Sequence, residues 1–580
     1  MRDGLAAPDG TAGSGALGTQ LIQVAFAGHN RPDDLGDTLS LERDLTVAFG
    51  LLAAADVKGA RLLTGNAPGA DRLAARLWGE CGLGPIHIVQ PFLTDEDDPD
   101  RQPPTPHITR LDGAAFEASG RNPHLAQTRW MIGSADMLVT VWTGEHARGA
   151  GGTADAVRLA LEHNLPVLWV KPGDAEAIRL IRPQYLPDDF GFLEFLEQLE
   201  HRTPPLVVPA AVANLSAALE GLDLSPDAVS DLSPDEEPPG PLRWFDDWLQ
   251  LWLWRTYNLF RRVVGGRPAP SRPTADPPAD LNAQPGFQLL SQTYLEADQE
   301  ANRLAAVHRS QQILLLGAAL LAAIVGSSPA VWPQFKIYAV LIELGLALAA
   351  LAVWMGAGRA NRHHRWGGAR RLAEQLRLER AAWTLGISTV GTRRERASAA
   401  AAAVRLVRCR AGLAGGAFDA DRVQRWGAWA MDELLAGQAH YHQIQGRLNG
   451  RIAHRIHWFE NFTFTVFIVI LLSFAVAFEA AGLTNNHLPH WIGGAVLMAG
   501  AIVPAMGAAS LALEATLGFG EHSQRSLSVA QELELLMATL GPAPSLDTYQ
   551  TTARAAVRLE SLKEDRWSED TDRRRLFRGG

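Results

Sequence analysis

Over residues 21–170, short apolar runs alternate with stretches whose apolar positions recur at helical spacing, and together the two periods predict alternating strands and helices. Leu21 to Ala27, Arg61 to Thr64, Ile86 to Val89, Met137 to Trp142 and Pro166 to Val170 read as strands. Thr38 to Val57, the segment through Leu73, Ala74 and Leu77, and the segment from Ala156 to Asn164 read as helices. This alternation calls for a parallel sheet covered on both faces, with ligands at the carboxyl ends of its strands. Three glycine-bearing loops fall on that edge: Gly28-His29-Asn30-Arg31, Gly65 to Asp71, and Gly144 with Gly149-Ala150-Gly151-Gly152-Thr153. Glycines let a ligand approach the backbone closely, and the free N–H groups of a helix start favour an anion.

Beyond residue 286 the pattern changes. Ile313 to Trp332 is uncharged over 20 residues, and Ile337 to Gly358 is apolar over 22 with one acid, Glu343. Each is long enough to cross a hydrocarbon core of about 30 Å as a helix. Only Pro333 to Lys336 separates them, so they form a hairpin; Phe462 to Phe478 and Trp491 to Leu513 form a second. Arg303, Arg309, Arg359, Arg362, Arg365, Arg370, Arg371, Arg451, Arg455 and Arg525 flank one side of the four spans, and Lys336 alone the other. The positive-inside rule then places both termini and the long middle segment in the cytoplasm.

The halves resemble each other, each with an amphipathic helix entering its hairpin and a charged helix leaving it, and a duplication is one reading. Trp244 to Val264 carries a Trp-rich helical stripe that reads either as an interfacial helix or as a helix docked on the soluble domain. The Pro-rich stretch 265–285 reads as a semi-rigid linker. Arg393 to Arg410, with its poly-Ala core, reads as a solvated cytoplasmic helix with a packing face.

Composition sharpens this picture at three points. Cys81 and Cys409 are the two cysteines, too few for a disulfide framework or a metal cluster, and point to a reducing compartment. A formal net charge of -10 argues against nucleic acid as partner. Residues 1–20 are Gly/Ala-rich with no apolar core of the signal-peptide kind, so they read as a disordered tail. The histidines His440, His442, His454 and His457 lack carboxylate or Cys partners at ligand spacing, and no metal is expected.

FAGHNR, LLTGNAPGADRLAA, SADMLVTVWTG and GAGGTADAVRLALEHNLPV, in this order, resemble the SLOG superfamily of Rossmann-like domains, which includes LOG phosphoribohydrolases, DNA-processing proteins and nucleotide-sensing modules of bacterial defence systems. AEQLRLERAAW and GQAHYHQ, together with the two hairpins, resemble the SLATT family of two-span membrane effectors found with such sensors. The resemblance implies an α/β Rossmann-like N-terminal domain plus an all-α membrane region. In residues, it implies a SLOG-like unit over 21–235, a Trp-rich helix and linker over 236–286, a two-span unit over 287–400, cytoplasmic helices with a second two-span unit over 401–550, and a charged tail over 551–580.

It also implies a nucleotide-derived ligand as the only bound small molecule, a homo-oligomer in the bacterial inner membrane, and a pore-forming or membrane-disrupting output. The ligand-binding candidates are Gly28, His29, Arg31, Gly65, Gly69, Asp71, Gly144, Gly151, Gly152 and Thr153. His29 and Arg31 are set between nucleotide contact and loop capping, and Asp71 between a ribose bond and a helix cap. In the hydrolase branch a catalytic Glu follows the loop Thr by three residues; here that position is Ala156, and Asp155 is the nearest acid. Binding without turnover is therefore the first reading. Hydrolysis with Asp155 as the acid, and a non-catalytic membrane scaffold, are the alternatives. Glu343 reads either as a pore or gating acid or as a packing residue, and Glu479 as an interfacial acid at the outer end of its span.

Overall fold

The computed structural model describes residues 22–30, 35–55, 60–93, 107–146, 149–174, 177–182, 203, 205–206, 210–219, 256–267, 275–359, 362–389, 399–483 and 489–576. The N-terminal part runs β1 (Gln23–Gly28), α1 (Thr38–Ala54), β2 (Arg61–Thr64), α2 (Ala70–Glu80), β3 (Ile86–Gln90), β4 (Ile108–Leu111), α3 (Gly113–Ala118), α4 (Pro123–Ser134), β5 (Met137–Val141), α5 (Thr153–Glu162), β6 (Val167–Val170), β7 (Ile178–Ile181) and α6 (Ala210–Leu219). Residues 256–265 are helical. After them come α7 (Pro285–Ser327), α8 (Lys336–Arg359), α9 (Arg362–Thr384), α10 (Ala399–Ala411), β8 (Gly416–Phe418), α11 (Ala420–Met431), α12 (Gly437–Leu483), α13 (His490–Leu517), α14 (Phe519–Ala538) and α15 (Leu546–Leu576).

The sheet has eight strands in the order β7-β6-β5-β1-β2-β3-β4-β8. Every pair is parallel except β6 with β7. Val24 and Phe26 point to one face and Ala25 to the other, and these residues are buried, as a parallel sheet covered on both sides requires. Strands β4 and β7 are additions to the strands read from the sequence; each is four residues long with one arginine, as β2 is.

Strand β8 comes from the helical half of the chain. It pairs with β4 from Thr109↔Gly416 to Leu111↔Phe418, and Thr109 Oγ1 donates to Ala414 O at 2.7 Å. One continuous core follows from this. It runs from Leu63, Trp130 and Leu138 through Trp383 and Val404 to Trp426, Leu533 and Ala553. The cytoplasmic helices expected as parts of separate units over 287–400 and 401–550 therefore pack directly on the sheet domain. Residues 551–576 are helical, with Ala553, Ala556 and Glu560 buried, so the stretch expected as a charged tail begins inside that core.

Helix α10 departs from its reading as a solvated helix. Ala400 to Arg405, Arg408 and Cys409 are buried where α10 crosses the N-terminal edge of the sheet. Its arginines enter with their counter-ions: Arg405 pairs with Asp136 at 3.4 Å, and Arg408 with the fully buried Glu379 of α9 at 2.9 Å. Asp136 also accepts the Gln23 N–H at 2.8 Å, Arg408 donates to Gly133 O at 2.9 Å, and Glu379 accepts from Thr389 N and Oγ1 at 3.0 and 2.7 Å. Between these arginines and Asp136, burial pushes the Cys409 thiol well above its ordinary range.

Among the described residues, four helices are long and apolar enough to cross a membrane. Helices α7 and α12, of 43 and 47 residues, extend about 65 and 70 Å, so each carries an apolar stretch and a stretch packed in the shared core as one rod. Helix α9 packs back along α7, and α14 along α12, so the two halves repeat the same helix arrangement. The hairpins meet where α13 packs on α7.

Removing one partner of a buried ion pair leaves the other charge uncompensated, at a cost of about 3–5 kcal/mol. Glu379→Ala should therefore lower stability by about that amount in thermal or denaturant unfolding of the solubilised chain, and Glu379→Gln by less.

Candidate functional site

From β1 the chain steps outward to β2, β3 and β4 on one side, and later to β5, β6 and β7 on the other, so the topological switch point lies between β1 and β5. In open α/β sheets the crevice that takes ligands lies at such a point, outside the carboxyl ends of the strands. His29 N–H donates to Val141 O at 3.3 Å and ties the end of β1 to β5. The His29 ring accepts the Thr143 N–H through Nε2 at 3.1 Å, with Thr143 Oγ1 at 3.4 Å. Ala70 N–H donates to His29 O at 3.2 Å, which draws the second loop to the same point. Arg31 lies outside the described residues.

Asp71 sits in the first turn of α2 but is turned inward, 7% exposed. Burial pushes its carboxyl up to about 7, against the N–H groups of Ala67, Gly28 and Gly65 and the Thr64 hydroxyl, which favour the charged form. Asp71 thus closes its own loop.

Most of the glycines serve packing. A Cβ on Gly28 would lie 2.5 Å from Ala70 Cβ, and one on Gly65 2.6 Å from Gln127 Nε2. Gly69, at φ 93°, faces His29 O at 3.0 Å, and Gly151, at φ 84°, faces Leu125 N of α4 at 2.5 Å, so both need a left-handed backbone and a bare Cα. Gly149 is different: nothing lies within 4 Å of where its Cβ would stand. The third loop is therefore anchored at Gly151 and open at Gly149.

Two indoles hold the near side of that loop. Trp169 Nε1 donates to Trp142 O at 2.7 Å, and Trp142 Nε1 donates to Glu145 O at 2.8 Å, across Gly144, whose Cβ position is 3.4 Å from the Trp169 ring. Gly152 caps α5 in extended backbone with no side-chain hydrogen bond, and Thr153 opens the helix largely buried. Asp155 Oδ2 accepts the Gly151 N–H at 2.8 Å, while Oδ1 pairs with Arg158 at 3.2 Å. Both oxygens are occupied in shaping the loop. Ala156 is in the core, 1% exposed.

Gln127 was not legible from the sequence. It is buried, donates to Val89 O at 2.6 Å and fills the space beside Gly65. Its helix carries one local signal, the Asn122-Pro123 start, where Asn122 Oδ1 accepts from His124 N and Leu125 N at 2.9 and 3.1 Å.

Glu343 and Glu479, the two acids singled out in the apolar helices, lie far from this edge in sequence and on other elements. Glu343 of α8 is exposed, and its carboxylate rests on the bare backbone of Gly326 in α7, where an added Cβ would be 2.9 Å from Oε2. Glu479 is exposed near the end of α12.

Compared with family models, curated proteins and solved structures, the chain matches none.

A carboxyl whose folded pKa is about 7 against 3.8 unfolded contributes stability that is present below pH 3.8 and lost as pH rises through 7. Wild-type stability should fall across this window by up to about 1.4 kcal/mol per pH unit from this group. Asp71→Asn should flatten that slope, as read by thermal unfolding at a series of pH values.

Proposed function

We propose that the chain is a membrane-anchored sensor and effector of the SLOG and SLATT kind. In this reading, a nucleotide-derived anion binds at the β1/β5 crevice, and binding drives pore formation or membrane disruption in a bacterial conflict system. The membrane is the bacterial inner membrane, with both termini cytoplasmic, and the active form is a homo-oligomer.

The observation that carries this reading is the shared core. Helix α4 touches the Gly-rich loop at one end, through Leu125 and Gly151, and the membrane-linked helices at the other, through Gly133 against Gly386 O and through the Arg129 to Asp547 pair at 3.2 Å. A ligand that shifts the loop acts on a helix already packed against the output region. Such coupling requires the ligand to bind one arrangement of these helices better than another.

The phosphate would rest beside the open Gly149 and the first turn of α5, whose N–H groups have no intrahelical acceptor. Binding without turnover is preferred to hydrolysis because Asp155, the acid hydrolysis would need, is committed to Gly151 and Arg158.

Gly149→Glu tests the sensor cleanly, since it adds a negative charge at the open end of the loop, where an added Cβ has nothing within 4 Å. Gly151→Arg would instead strike α4 and break the loop. The Gly149→Glu chain should melt like wild type without ligand, lose at least about ten-fold in affinity across a nucleotide panel, a change of about 1.4 kcal/mol, and lose toxicity on expression. Full toxicity with binding abolished would separate the output from the crevice and overturn the reading.

A further inference from the structure

The helical residues 256–265 form a bar between the two long rods. Tyr257 N–H donates to Ser310 Oγ of α7 at 3.2 Å, and Arg309 of α7 lies over the Tyr257 ring at 5.3 Å. At the other end Gly265 packs on Leu448 and Ile452 of α12, whose Arg455 donates to Val264 O. Phe260 meets the Phe519 ring at 6.1 Å, so the bar's inner face is fully used. Its outer face is not: Leu259 and Val263, one helical turn apart, are 61% and 69% exposed, with Arg262 exposed beside them.

The level of this bar decides what covers that face. Ser310 precedes the uncharged run that starts at Ile313, and Arg455 precedes the run that starts at Phe462. Trp458, 61% exposed and stacked on Phe462 at 5.2 Å, marks the same level on α12. An exposed leucine and valine flanked by arginines, where apolar helices begin, have the make-up of a segment lying in the headgroup layer. Arg261 and Arg262 lie in the bar, Arg261 donating to Gln445 Oε1 of α12 at 3.1 Å and Arg262 exposed, and Arg267, Arg309 and Arg455 flank it. On the neighbouring helices Glu460 of α12 pairs with His457 at 3.5 Å, and Glu514 of α13 accepts the Gly520 N–H at 2.7 Å.

We infer that this bar is a binding surface for anionic phospholipid, its leucine and valine in the acyl boundary and its arginines on the headgroup phosphates, clamping the two hairpins together from the cytoplasmic side. The inference rests on the membrane-spanning reading above.

The full chain should be reconstituted in nanodiscs holding equal phosphatidylglycerol and phosphatidylcholine, and the lipid retained on release counted by native mass spectrometry. The expected result is an excess of phosphatidylglycerol of about five-fold, the equivalent of one arginine contact with anionic lipid. Arg262→Gln, at an exposed position, should reduce the excess, and Leu259→Asp should abolish it; thermal unfolding of both variants as for wild type confirms that they fold. Equal retention of the two lipids by wild type overturns the inference and leaves the membrane reading intact. Failure of the chain to enter nanodiscs overturns both.

Discussion

Arginines 405 and 408 lie out of water on α10, and each is tolerable there only because a carboxylate meets it: Asp136 from the sheet domain and Glu379 from α9. These pairs join three stretches of chain that are distant in sequence, and they do so at the N-terminal edge of the sheet, away from the crevice. Ion pairs of this sort add little net stability over an apolar contact, but they penalise any misplacement of the helix that carries them. The position of α10, and with it the approach of β8 to β4, depends on them.

With α10 in place, the helices at the core-side ends of the long rods become part of the sheet domain's own core. The rods themselves need no joint between that core and their apolar stretches, because α7 and α12 run through both as unbroken helices. A rigid connection of this kind suits the proposed sensor. Movement at the Gly151 loop meets α4, α4 meets the ends of α9 and α15, α9 packs on α7, and α15 reaches α12 where Glu560 faces His442 at 3.7 Å. The bar at residues 256–265 ties the same rods together at the level where their apolar stretches begin.

At the crevice, chemistry and packing divide the loops differently from their shared glycine content. Gly28, Gly65, Gly69 and Gly151 are bare because protein atoms press against them, and Asp71 and Asp155 are turned to their own loops. What faces outward is His29, held to Thr143, and the open end of the third loop at Gly149. The open part of this edge is therefore narrower than the motif residues suggest.

The amino-acid sequence by itself determined the alternating strands β1, β2, β3, β5 and β6, the loops on their carboxyl edge and the four apolar helices, because each of these is written in local periodicity or in uninterrupted apolar length. Tertiary structure alone decided the rest. β8 is three residues long, Gly416-Ala417-Phe418, with only Phe418 buried, and becomes a strand because β4 presents an edge to it. The alanines of α10 carry no pattern that separates a solvated helix from a buried one, and burial follows from Asp136 and Glu379, which lie 269 and 29 residues from their arginines. Whether a glycine makes room for a ligand or for a neighbouring helix is a question of what stands within 4 Å of it, and spacing along the chain does not encode that distance.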